Sequence, residues 1–169
     1  MTLFMGQEAE GGGTSISIPA ENAGAFNVTA LATGALQSIS ALYVTLVASS
    51  LRMALWTEGV GKPGATIVEA EIGETKAGVN TVSLTGTVLG TMEPPVISGV
   101  KYWIVVETPN AAGKIKQATV PTTLYSKSKT KHPLISETTE WTTAETLGPS
   151  GVYGSGEVAA SGARTTMLA

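Results

Sequence analysis

Hydrophobic and polar residues alternate along most of the chain with a period of two, the period of a β-strand. The pattern is clearest over residues 50–57, where Leu51, Met53 and Leu55 share one face and Arg52, Ala54 and Trp56 share the other. The alternation predicts strands over residues 14–18, 25–31, 36–48, 50–57, 65–72, 80–84, 85–89, 99–107 and 114–120. Short strands separated by turn residues at this spacing favour an antiparallel β-sandwich. We therefore predict one all-β, jelly-roll-like sandwich domain over residues 14–120.

Residues 36–48 are the longest apolar segment, and helix is the alternative there because short apolar runs are ambiguous. We favour a strand because Leu42 to Val47 is rich in β-branched and aromatic residues and no capping box or charged face accompanies the segment.

The two ends of the chain break the alternation. Residues 1–13 end in three glycines and are predicted to be a flexible N-terminal arm. Residues 121–169 are rich in Ser, Thr, Gly and Ala and are predicted to be an irregular C-terminal extension, either docked on a partner or flexible. One strand is expected there, near Val152-Tyr153 or over residues 164–168.

Composition removes several functional classes. The chain has 169 residues, 14% charged, against about 25% in an average domain, and Thr, Ser, Gly and Ala fill the difference. A net charge of −3 gives no general attraction to nucleic acid or anionic lipid. Cysteine and aspartate are absent, which excludes disulfides, zinc-thiolate sites and Asp-based calcium loops in their usual forms.

No membrane span or signal peptide is expected. The N-terminus is acidic without a basic n-region, and polar residues interrupt the uncharged stretch from residue 22 to 51. A protein that is made and assembled in the cytoplasm would have these features.

Residues 59–64, Gly-Val-Gly-Lys-Pro-Gly, have some features of a phosphate-binding loop. Such a loop needs a hydroxyl residue after the lysine, a glycine five positions before Gly61 and a helix afterwards. Here Pro63 follows Lys62, Trp56 occupies the earlier position, and a strand pattern follows. We therefore predict a turn over Lys62-Pro63-Gly64 that joins two antiparallel strands.

Four short segments of the chain carry a resemblance: residues 52–56 (RMALW), 61–64 (GKPG), 80–84 (NTVSL) and 99–104 (GVKYWI). In this order they resemble β-sandwich modules of bacteriophage tail, fibre and capsid-accessory proteins and of some bacterial surface proteins. The similarity spans about residues 36–107 and implies a sandwich fold without catalytic residues. It adds the expectation of a virion protein.

The remaining chemical candidates are few. His132 stands alone and is predicted to be a surface residue, and Glu69 and Glu71 are predicted to share a solvent-exposed strand face. Lys127, Lys129 and Lys131 alternate and so share one face of an extended chain. That stripe is either a solvated edge strand, protected by lysine against aggregation, or a contact for a phosphate backbone or an acidic partner subunit.

Trp56 and Trp103 are the candidates for a glycan contact, since exposed aromatic rings stack on sugars. Tyr102 and Trp103 are adjacent in a strand, so one of them should be core and the other at least half exposed. We expect a non-enzymatic virion structural protein, such as a capsid-decorating, spike or tail-accessory subunit, which needs no cofactor or metal. Its expected partners are other virion proteins and further copies of itself, with a trimer as one form. The alternative is a carbohydrate-binding module.

Overall fold

The structure is a computed structural model that describes residues 1–7, 15–18, 22–46, 50–84, 95–108, 112–116, 125–128, 140–145 and 151–159. All regular secondary structure in these ranges is β-strand. The strands are β1 (Thr2–Gly6), β2 (Ser15–Ile18), β3 (Ala23–Thr29), β4 (Gly34–Leu46), β5 (Leu51–Glu58), β6 (Pro63–Ile72), β7 (Gly78–Ser83), β8 (Pro95–Val96), β9 (Lys101–Glu107), β10 (Gly113–Lys116), β11 (Tyr125–Ser128), β12 (Trp141–Glu145) and β13 (Val152–Val158).

The strands form two antiparallel sheets that pack against each other, which confirms the predicted β-sandwich. The first sheet has the order β1-β13-β4-β10-β2, and β7 and β8 also pair with β4. The second sheet has the order β12-β11-β3-β9-β5-β6. The chain crosses repeatedly from one sheet to the other, so few strands pair with their neighbour in sequence.

The main core lies between the sheets and is built by the alternating apolar positions. Leu51, Met53 and Leu55 of β5 are fully buried in it, as their shared face predicts. Phe26 and Val28 of β3 contribute from the same sheet. Burial of such side chains supplies about 1.5–3 kcal/mol each relative to exposure, which makes this core the main source of stability.

The long apolar segment is the strand β4, so the favoured prediction is confirmed and the helix alternative is wrong for residues 36–46. β4 pairs with β13 along Gly34 to Ala41 and with β7 along Ser38 to Tyr43. Because these two ranges overlap, β13 and β7 lie on opposite edges of β4. The strand is apolar because it is the centre of a sheet.

The predicted flexible arm is wrong for its first residues. β1 pairs with β13, and Phe4 and Met5 are fully buried in the core. The hydrogen bond from the Leu31 backbone N–H to the Phe4 carbonyl, 2.6 Å long, ties this strand to the turn after β3. Residues 8–13 of the predicted arm lie outside the described residues.

The predicted C-terminal limit of the domain, residue 120, is also wrong. β13 lies inside the first sheet between β1 and β4, which confirms the strand expected near Val152-Tyr153. Its glycines make room for neighbours: a Cβ on Gly154 would lie 2.7 Å from Leu36 Cδ1, and one on Gly156 would lie 2.0 Å from the Ala35 carbonyl oxygen. The Gly-Ser-Gly sequence therefore packs closely here, although it resembles a linker. The alternative strand at 164–168 and the predicted strand at 85–89 lie outside the described residues.

The turn between β5 and β6 comes earlier than predicted. Val60 and Gly61 have φ of 56° and 75°, and the Gly59 N–H donates to the Lys62 carbonyl at 2.8 Å. Two central residues at positive φ are the mark of a type I′ hairpin turn, which matches the twist of the paired strands. Pro63 already pairs with Glu58 and begins the edge strand β6, where its missing N–H costs nothing.

Candidate interaction surfaces

The β5–β6 hairpin is fastened to the body of the second sheet by Glu58. One carboxylate oxygen, Oε2, accepts from the Trp103 indole N–H and from the Asn27 amide, both at 2.7 Å. The other oxygen, Oε1, accepts from the backbone N–H of Gly61. Hydrogen bonds to a charged group contribute about 1.5–3 kcal/mol, roughly twice a neutral one. Glu58 therefore fixes the turn in position relative to β3 and β9.

The end of this hairpin, Val60 to Lys62, is called the hairpin tip below. All three residues of the tip are exposed, and Val60 is 98% exposed. Behind the tip, the Thr57 hydroxyl accepts from the Ala65 N–H at 2.8 Å, and a Cβ on Gly59 would lie 2.9 Å from the Gly64 Cα. The two strands approach each other closely at the base of the turn, which holds the tip in position.

Val60 is an unfavourable residue for its conformation. Positive φ suits glycine and asparagine, whereas in a β-branched residue it is an outlier. Because the side chain is almost fully exposed, no burial within the described chain compensates for the conformational cost. Strained residues of this kind concentrate where a protein binds or switches.

The outer face of the second sheet carries a second apolar cluster, which we call the tryptophan cluster. It consists of Ala23, Ala25, Ala54, Trp56, Trp103 and Val105, with Trp141 packed against it. The rings of Trp56 and Trp141 meet edge to face, 6.0 Å apart at 87°. Their strands, β5 and β12, have three others between them, about 19 Å in a flat sheet. The sheet must curl to bring these rings together.

The prediction of an exposed aromatic ring is wrong. Trp56 is 2% exposed, Trp103 is fully buried, and Tyr102 is also buried, on the opposite face. Both faces of β9 are therefore covered. The sequence carries a signal for this, since Tyr102 to Val106 is an uninterrupted apolar run, typical of a strand buried on both sides. Trp56 and Trp103 offer no open ring for a sugar.

Two polar atoms in the tryptophan cluster lack partners. The indole nitrogens of Trp56 and Trp141 are buried and meet no hydrogen-bond acceptor in the part of the chain that the structure describes. A buried N–H without an acceptor costs about 1–3 kcal/mol. The Trp103 N–H differs, since it reaches Glu58.

The outer face of the first sheet is rich in hydroxyl groups. Cross-strand register places Ser155, Ser38 and Ser83 in one row and Tyr153, Ser40 and Thr81 in the next. The hydroxyls of Ser40 and Thr81 lie 2.8 Å apart. No residue of these two rows is charged.

An open cleft lies at the other end of β6 from the hairpin tip, and it has a volume of about 650 Å³. Its walls are the loop from Ile72 to Lys76 and the start of β7 from Val79 to Thr81; we call it the β6–β7 cleft. Asn80 shapes the loop, because its side chain accepts from the Lys76 N–H at 3.0 Å and donates to the Lys76 carbonyl at 2.7 Å. Val79 is 42% exposed and Glu74 is exposed.

Lys127 lies on β11, which has β3 on one side and β12 on the other. The edge-strand interpretation of the lysine stripe is therefore wrong for Lys127, while the partner contact stays a prediction. Lys129, Lys131 and His132 lie outside the described residues.

Glu69 and Glu71 are exposed, as predicted, and the Glu71 carboxylate lies 3.6 Å from the Arg52 guanidinium. Within the described ranges, no group of three or more potential metal ligands comes together. Nor do those ranges contain a helix that meets the length and hydrophobicity needed to span a bilayer.

Comparison of the chain with protein-family models, with curated proteins and with solved structures finds no match. The geometry of the surfaces described above is therefore the starting point for a function.

Proposed function

We propose that this protein is a non-enzymatic virion structural subunit, of the capsid-decorating, spike or tail-accessory type, that acts by binding other subunits. The observation that carries the assembly role is the hairpin tip, where a strained valine is held out in solvent on a braced turn. A rigid, exposed apolar side chain binds without the entropy cost of ordering a flexible loop. The virion setting is supported by the resemblance of residues 52–104 to phage accessory modules and by the sandwich fold.

The tip is suited to binding in a second respect. It carries one cation, Lys62, beside the apolar Val60, and the Glu58 carboxylate at the base of the turn is already occupied by three N–H donors. The tip therefore presents an apolar point with one positive charge to a partner. A carbohydrate-binding role loses its support, since Trp56 and Trp103 are buried.

The proposal is tested by light scattering on the purified full-length protein across a range of concentrations, together with mass spectrometry of purified virions. We expect multimers for the wild type and for Val60→Ile, and a shift towards monomer for Val60→Asn. Val60→Ile is the matched control because it keeps a β-branched apolar side chain at the tip. A wild-type protein that is monomeric throughout and missing from virions would contradict the proposal.

A further inference from the structure

We infer that the hairpin tip of one copy binds the β6–β7 cleft of a second copy, so that subunits join head to tail. This inference rests on the proposed assembly function and names the partner of the same tip. Its starting point is that the tip and the cleft occupy the two ends of one strand, β6. Pro63 begins that strand beside the tip, and Ile72 ends it at the cleft.

The tip of a subunit cannot reach its own cleft. From Pro63 to Ile72 the strand is about 30 Å long, at roughly 3.4 Å per residue. Any contact between the two features must therefore join separate molecules. A contact between two different patches is heterologous, and repeating it produces a closed ring or an open chain of subunits.

The apolar parts of the two surfaces match. The tip offers Val60, and the cleft offers the partly exposed Ile72 and Val79. Inserting Val60 between them would bury apolar surface on both sides, which is the gain that compensates for its strained conformation. The cleft is already shaped for this because Asn80 holds its loop through the Lys76 backbone.

A charge pair is also available across the contact. The tip carries Lys62, and the lining of the cleft carries one carboxylate, Glu74, and one cation, Lys76. Lys76 has the same sign as Lys62. Glu74 is the exposed cleft carboxylate left to receive Lys62, so the pairing also fixes the direction in which the tip enters.

The absence of cysteine from the chain makes a direct test available. We would mix Val60→Cys protein with Val79→Cys protein, oxidise the mixture and measure the mixed disulfide dimer by non-reducing electrophoresis and mass spectrometry. The matched control replaces Val79→Cys by Ile97→Cys, because Ile97 is at least as exposed but lies outside the cleft. We expect a several-fold higher yield for the first mixture.

A charge exchange gives the second readout. Lys62→Glu in the Val60→Cys chain should lower the yield several-fold, and Glu74→Lys in the Val79→Cys chain should restore it. Equal yields for the cleft and control mixtures, or no effect of the charge exchange, would overturn the inference. If the protein is multimeric and present in virions while these yields are equal, the proposed function stands and only the head-to-tail contact fails.

Discussion

Replacing Val60 by asparagine should make the protein more stable, which is unusual for a change at a binding surface. In the left-handed region an L-residue with a Cβ costs about 1–2 kcal/mol, and asparagine avoids part of that cost by local hydrogen bonding. Asn-Gly is also the preferred pair in a type I′ turn, and Gly61 already supplies the glycine.

Removing the valine side chain costs little stability. Val60 is 98% exposed, so its replacement removes almost no buried apolar surface. We therefore expect Val60→Asn to raise the free energy of unfolding by about 1 kcal/mol. For a domain of this size the gain corresponds to an increase in Tm of about 2–4 °C.

The assay is equilibrium unfolding in urea, followed by tryptophan fluorescence, with calorimetry for the Tm. Val60→Ile serves as the control because it keeps the β-branch and should leave stability unchanged. Measurements at low protein concentration keep self-association out of the comparison. If Val60→Asn is no more stable than the wild type while Val60→Ile is unchanged, the valine is not strained and the reasoning from the turn fails.

Three further predictions concern the body of the sandwich. The buried Tyr43 hydroxyl has no partner among the described residues, and burial raises the pKa of this phenol. Because the folded state then holds the proton more tightly than the unfolded state, stability should be full below about pH 10 and fall above it. Tyr43→Phe should raise the free energy of unfolding by about 1 kcal/mol at neutral pH and remove its decrease above about pH 10. Urea unfolding of both proteins from pH 7 to 11 tests this, and parallel plots of stability against pH would contradict it. Phe4→Ala should cost about 3–5 kcal/mol, whereas a loss near zero in urea unfolding would mean that the first strand is not part of the core. Glu58→Gln should cost about 1–2 kcal/mol and change the fluorescence of Trp103, with Glu69→Gln on the exposed face as the control that changes neither.

Alternation predicted the faces of the strands well because burial in a sandwich follows the pleat directly. Leu51, Met53 and Leu55 all enter the core as their spacing requires. The same rule fails for Trp103, because it assumes that the outer face of a sheet is exposed to water, whereas the outer face at β9 is buried in the tryptophan cluster.

The ends of the domain and the candidate site were harder to predict, for reasons specific to their residues. Gly154 and Gly156 occur in a sequence typical of a linker, and only their contacts with Leu36 and Ala35 show why glycine is required. Pro63 and Gly64 are ordinary turn residues, yet the turn forms at Val60, a residue that turn preferences would reject. Such a local conflict cannot be predicted from propensity, and it is the feature that marks the candidate site.

The pairing of β1 with β13 has a consequence for how the protein acquires its structure. Thr2 lies opposite Gly156, so among the described strands β1 gains its partner in the sheet only when β13, the last of them, has been made. Folds dominated by such distant pairings reach their native state slowly, because the entropy of closing the long intervening loop is lost before the contacts form. During synthesis the edge of β4 that later receives β13 stays open, and an open apolar strand edge is a template for aggregation. Expression at a lower temperature should therefore improve the soluble yield.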